Sequence, residues 1–180
     1  MTPDKKRTIW KTIVATVAVL GVAGLGGAYL FMESGRYNVG TTSQHWQPVH
    51  TLLEHGLLKS VRYQARNIEA PSLTAPQMIA SGAAVYRARC VQCHGAPGVA
   101  QDDLGKSMQP VPGPLVDVTQ RWKARELYWI TRHGISMTGM PAWEFHLRDD
   151  EIWSVVAFLM HMAALSPQDY ASLARAEPVK

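Results

Sequence analysis

Cys90, Cys93 and His94 stand in the run Cys90-Val91-Gln92-Cys93-His94, and the two cysteines are the only ones in the chain. Whatever these residues do, they do together. Two thiols one helical turn apart can add across the two vinyl groups of a haem, and the adjacent imidazole is then held where its nitrogen meets the iron. C-x-x-C-H is the attachment pattern for c-type haem. A structural zinc site would need four N or S ligands, and no second C-x-x-C or H-x-x-x-H completes one. A thioredoxin-like pair opens a helix in a strand-bearing fold, whereas this pair follows a helical pattern in a chain with no strand pattern of any length. A disulfide scaffold would use four cysteines or more.

An iron that transfers electrons usually takes a second axial ligand, and thioether sulfur raises its potential. Of the eight methionines, Met1 and Met32 belong to the apolar N-terminal region. Met78 falls on the core side of a helix, and Met160 and Met162 sit in the last long helix, where packing is their role. Met108, Met137 and Met140 are left. Met140 is favoured, because glycine and proline in Thr138-Gly139-Met140-Pro141-Ala142-Trp143 fix an extended turn able to present sulfur. The expected site is therefore one covalently attached haem c held by Cys90 and Cys93, with His94 and Met140 as metal ligands. No Ser-His-Asp or paired-carboxylate cluster points to hydrolysis, and no catalytic residue is assigned.

The elements that must position these groups are helical. The spacing predicts an amphipathic helix over 48–68 despite Gly56, then a break at Ala70-Pro71 and Ala75-Pro76. A helix over 76–89 leads straight into Cys90, with Gly82 and Tyr86 on its apolar face. The stretch 95–119, with four prolines, is a long loop that makes sense only if it wraps something. A helix over 123–133 stops at Gly134, and another starts near Asp149, whose neighbours Asp150 and Glu151 favour its N-terminal dipole. Ser166 to Ala176 adds a short terminal helix.

Thr12 to Met32 carries no charged side chain and is 21 residues long, enough to cross about 30 Å of hydrocarbon as a helix. It is expected to be a retained transmembrane anchor. A signal peptide cut after Gly26-Gly27-Ala28 is the competing reading, but the apolar run continues through Tyr29, Leu30, Phe31 and Met32. Lys5, Lys6, Arg7 and Lys11 precede the span, which places the N-terminus in the cytoplasm and the rest outside. Those residues also hold most of the net charge of +4, so no basic stripe remains for nucleic acid. The organisation is a basic N-terminus (1–11), an anchor (12–32), a connector with an amphipathic helix (33–75), a haem domain (76–165) and a tail (166–180). His45, His50 and His55 recur every five residues, about 140° apart on a helix, and do not build a metal site.

The stretch from Pro76 to Ala164 resembles a class I cytochrome c domain, of the small bacterial membrane-anchored mono-haem type related to the cytochrome c subunits of haem-copper oxidases. The resemblance is carried by C-V-Q-C-H at 90–94, E-L-Y-W-I-T-R-H-G-I at 126–135, M-T-G-M-P-A-W at 137–143 and D-D-E-I-W-S-V-V-A-F-L at 149–159. It implies an all-α fold in which the first and last helices cross, here Gly82 and Tyr86 against Trp153 and Val156. It implies His94 as proximal and Met140 as distal ligand, the His94 ring N–H being donated to a loop carbonyl near Pro112–Pro114. It implies a single-electron carrier on the periplasmic face of the inner membrane. The expected partners are redox proteins: a quinol-oxidising complex, a terminal oxidase or a periplasmic dehydrogenase. A stable haem subunit of such a complex is the alternative. Lys123 and Arg148 stand where relatives carry Ser or Asp helix caps, so these two helix starts are expected to be shifted or water-capped.

Overall fold

The structure, a computed structural model, describes residues 2–40, 42, 46–173 and 175, in two compact units divided after Ser43. The first unit is dominated by helix α1 (Pro3–Glu33), which is long and apolar enough to cross a membrane. With Pro3 in its first turn, and no residue buried, its 31 residues run uninterrupted through the glycines. At 1.5 Å per residue it measures about 46 Å.

The second unit holds α2 (Gln47–Gln64), α3 (Pro76–Arg89), α4 (Val91–His94), α5 (Asp103–Lys106), α6 (Ala124–His133), α7 (Asp149–Met162) and α8 (Pro167–Leu173). Short 3-10 turns lie at Ala65–Asn67, Val118–Gln120 and Trp143–Phe145. Among the described residues there is no strand, only an isolated bridge between Ala96 and Val99. The compact unit begins before the proline break at 71–76 that the sequence suggested as its edge. Val61 of α2 is fully buried and belongs to the same core as Tyr86 and Phe158. The terminal segment is also packed, with Tyr170 of α8 buried 6.0 Å from the Phe158 ring.

The centre of this unit is the crossing of α3 and α7. A Cβ on Gly82 would overlap the Ser154 carbonyl group, so the two helix backbones touch there. The aromatic partner of Tyr86 is Phe158, ring centroids 5.1 Å apart, rather than Trp153. The reason is periodicity: Phe158 lies four residues on from Ser154 and shares its face, whereas Trp153 is rotated by about 100°. Trp153 turns to α6 and stacks on Tyr128 at 4.2 Å.

The two helices without a conventional N-cap start where the sequence placed them, within one residue. In α6 the Glu126 carboxylate accepts the Lys123 N–H at 2.9 Å, and in α7 the Glu151 carboxylate accepts the Arg148 N–H at 2.9 Å. Each N3 glutamate thus supplies half of a capping box. Neither start is shifted by more than one residue.

Candidate haem-binding site

The C-x-x-C-H segment is a single turn of helix hung from the end of α3. The Cys90 N–H donates to the Tyr86 carbonyl at 2.8 Å, and the Cys90 carbonyl accepts from the N–H groups of Cys93 and His94 at 3.1 and 3.0 Å. Gly95 ends the turn at φ +65, and a Cβ there would come within 2.8 Å of the Val99 carbonyl oxygen. The buried Tyr86 hydroxyl donates to the Gly95 carbonyl at 2.7 Å, so the α3–α7 core and the cysteine turn are joined by one side chain. On the other side, a Cβ on Gly105 of α5 would lie 2.9 Å from the Cys93 Cα. Backbone therefore lies directly on the turn that carries both thiols.

His94 is oriented by a hydrogen bond. Its Nδ1–H donates to the Gly113 carbonyl at 2.9 Å, at the loop position expected from the resemblance, which leaves the Nε2 lone pair for a metal. Burial lowers the affinity of the imidazole for a proton, and the Gly113 bond only partly offsets this. The ring is neutral at neutral pH, the state a metal ligand requires. The preceding loop carbonyl, that of Pro112, accepts from Gln101 Nε2, which also donates to the Cys93 carbonyl at 2.6 Å. One carboxamide therefore ties the cysteine turn to the loop that orients the histidine.

The cysteines are free thiols. Cys90 is pushed up to about 12, first by burial and then by neighbouring Cys93, with Arg89 opposing. It stays protonated in the folded chain, which protects it from adventitious oxidation. Two unpaired thiols one turn apart, beside a neutral imidazole with one nitrogen bare, form a donor set that fits a c-type haem. Among the described residues no group of three or more His, Cys, Asp or Glu side chains converges on a point that could hold a metal ion.

Met140 is held by its backbone. Gly134, at φ +67, ends α6, and a Cβ there would lie 2.6 Å from the Met140 carbonyl oxygen. That oxygen accepts the Ile135 N–H at 3.2 Å, while the Met140 N–H donates to the Thr138 hydroxyl at 3.1 Å. The hydroxyl donates in turn to the Ile135 carbonyl at 2.7 Å. Met140 is half-buried. Met137 sits at φ +61 with its side chain in solvent, 87% exposed, and the Met108 sulfur fills the space a side chain on Gly139 would need.

Other polar residues have partners of their own. Arg132 pairs with Glu144 at 3.3 Å and Asp149 at 3.0 Å, and donates to the Tyr128 hydroxyl at 2.9 Å. His133 lies 3.4 Å from Glu144, and the His161 ring bonds the Ala157 carbonyl at 2.9 Å. His50 and His55 are exposed on α2, and His45 lies outside the described residues. Sequence reasoning missed Gln101, Gly105 and Thr138. Only Thr138 carried a usable signal, as a hydroxyl two residues before Met140 in a Gly-Pro turn.

Residues 77–159 match the family model described as cytochrome C oxidase, cbb3-type, subunit III. That is 83 of 180 residues, somewhat under half of the chain. No curated protein and no solved structure matches. The matched segment spans the cysteine turn, the loop that orients His94 and the Met140 turn, and residues 77–159 form a class I c-type cytochrome domain resembling those of haem-copper oxidase subunits.

Proposed function

We propose that this chain holds one haem c through thioether bonds to Cys90 and Cys93, with His94 and Met140 as axial ligands. It would pass single electrons between respiratory components at the periplasmic face of a bacterial inner membrane. The observation that carries the reading is His94: a neutral ring, its Nδ1–H spent on Gly113, in the residue directly after the second thiol. The bound haem supplies a one-electron iron couple. The chain's own residues orient the imidazole, fix the backbone that presents the Met140 sulfur and pack the α3–α7 core behind the cysteine turn. Held between His94 and Met140, a haem would serve one-electron transfer rather than substrate chemistry. Helix α1 serves as the anchor, and Lys5, Lys6, Arg7 and Lys11 favour a cytoplasmic N-terminus.

The similarity to an oxidase subunit favours a second reading, a haem subunit stably bound in an oxidase complex. Purification in mild detergent separates the two: a stoichiometric partner supports the subunit, and a lone chain supports the carrier. The primary test is an optical spectrum of oxidised and reduced protein beside Met140→Ala and Met137→Ala. Sharp low-spin c-type bands, with the weak far-red sulfur-to-iron band lost only in Met140→Ala, are expected. High-spin iron in the unmodified protein would overturn the ligand assignment, and absence of covalent haem would overturn the function.

A further inference from the structure

Helix α2 has two apolar sides. Leu57, Leu58 and Val61 face the core. Val49, Leu52, Leu53 and Tyr63, about 100° apart at most on the helix wheel, face solvent, with Leu52 70% and Leu53 57% exposed. An ordinary surface helix has one apolar stripe and a polar back. The second stripe is bordered along one side by Lys59, Arg62 and, one turn on, Arg66, all exposed. Arg62 also opens a cavity of about 490 Å³ whose other cations are Arg121, Lys123 and Arg125.

This cluster is local. From Gln44 onward the chain has thirteen basic and twelve acidic residues, so the second unit carries almost no net charge. Two acids stand against the four cations of the cavity, so the cations are in excess. Glu126 accepts the Lys123 N–H at 2.9 Å and Glu54 takes one end of Arg121 at 2.9 Å. The Arg125 Nε is buried without any partner. An exposed apolar stripe beside uncompensated cations is the pattern of a helix lying in the surface of an anionic bilayer.

We infer that α2 docks on the anionic phospholipid surface of the membrane entered by α1, its outer stripe among the acyl chains and its basic flank among the phosphates. This rests on the proposed anchoring by α1. Only thirteen residues, 34–46, separate the two helices, and at full extension they span at most about 45 Å. The tether keeps α2 at high effective concentration near the bilayer, so a few apolar side chains suffice where a free helix would dissociate. Docking would set the height and tilt of the cysteine turn above the membrane, and so the partners it can reach.

The test uses the full haem-loaded chain in lipid nanodiscs with a single added cysteine, Leu52→Cys, the native pair being occupied by haem. The rate of alkylation by a charged, water-soluble maleimide is read in phosphatidylglycerol-containing discs and in pure phosphatidylcholine discs. The rate at position 52 is expected to be about tenfold lower in the anionic discs, and to recover in high salt or with Lys59→Glu and Arg62→Glu. At Asp103→Cys, where the native side chain is 95% exposed, it is expected to be equal in both. Equal rates at position 52 in the two lipids would overturn the inference. Protection that ignores lipid charge and rises with the number of chains per disc would overturn it too, by showing that a second copy covers the stripe. A chain that never incorporates into discs would instead refute the anchor.

Discussion

Gly82 of α3 and Ser154 of α7 touch backbone to backbone in the helix crossing behind the cysteine turn. Nothing larger than hydrogen fits, because the Ser154 carbonyl and the Phe158 Cβ fill the space. Gly82→Ala is therefore expected to spread the crossing and pull the Tyr86 ring off Phe158. Overpacking of this kind costs about 3 kcal/mol, which corresponds to a fall of roughly 10 °C in Tm for a domain of this size. Thermal unfolding of the haem-loaded protein measures it, and a Tm within a degree or two of the parent would show that the crossing is not tight.

Gln101 spans the Cys93 and Pro112 carbonyls. Gln101→Leu keeps much of the volume and removes both donations, leaving two carbonyls short of a partner. The cost should be about 1–3 kcal/mol in denaturant unfolding. The loop that carries Gly113 loosens at the same time, weakening the bond that makes His94 a more basic ligand. A less basic ligand stabilises ferric iron less, so the midpoint potential should rise in redox titration. A stability loss with an unmoved potential would confine Gln101 to a purely structural part.

The pH dependence follows from His94. Its affinity for protons is lowered in the folded chain by burial, so below about pH 6.5 the unfolded state binds a proton that the folded state resists. The stability this group contributes is complete above pH 6.5 and is lost as pH falls below it, with a limiting slope of about 1.4 kcal/mol per pH unit. Coordination to iron would act in the same direction. Denaturant midpoints at pH 7, 6 and 5 check the sign, and a midpoint that rises on acidification would contradict it.

Much of the architecture was legible because each helix carries its own punctuation. Pro76 opens α3, Gly134 closes α6 and Asp149 begins α7, all at positions set by local chemistry. The C-x-x-C-H turn and the carbonyl that meets His94 were also readable, the first from its residues and the second from the resemblance. What could not be read is set by long-range contact. The burial of Val61 in the same core as Phe158, the choice of Phe158 over Trp153 as the partner of Tyr86, and the placing of Gln101 between two carbonyls depend on which surfaces meet. Local pattern is silent on that. The Glu126 and Glu151 caps fall between the cases: glutamate at the third helical position is a sequence signal, but its usual Ser or Thr companion is missing, so only half the pattern was there to recognise.

Thr138 gives the sharpest test of the distal side. Its hydroxyl accepts the Met140 N–H at 3.1 Å and donates to the Ile135 carbonyl at 2.7 Å, so it sets the backbone from which the sulfur is presented. Thr138→Val keeps the shape but removes both bonds, and Thr138→Ser keeps both bonds but removes a methyl. A merely structural threonine would tolerate valine about as well as serine, or better. If the hydroxyl holds Met140 in place, valine should lower the pH at which the far-red sulfur-to-iron band is lost by roughly one unit, equivalent to one hydrogen bond of about 1.4 kcal/mol. Serine should restore it. Exposed Met137, at φ +61 on the same turn, supplies the control, because Met137→Gly relieves backbone strain without removing any group proposed to meet the iron. It should leave the band in place, and loss of the band there would move the ligand assignment from Met140 to Met137.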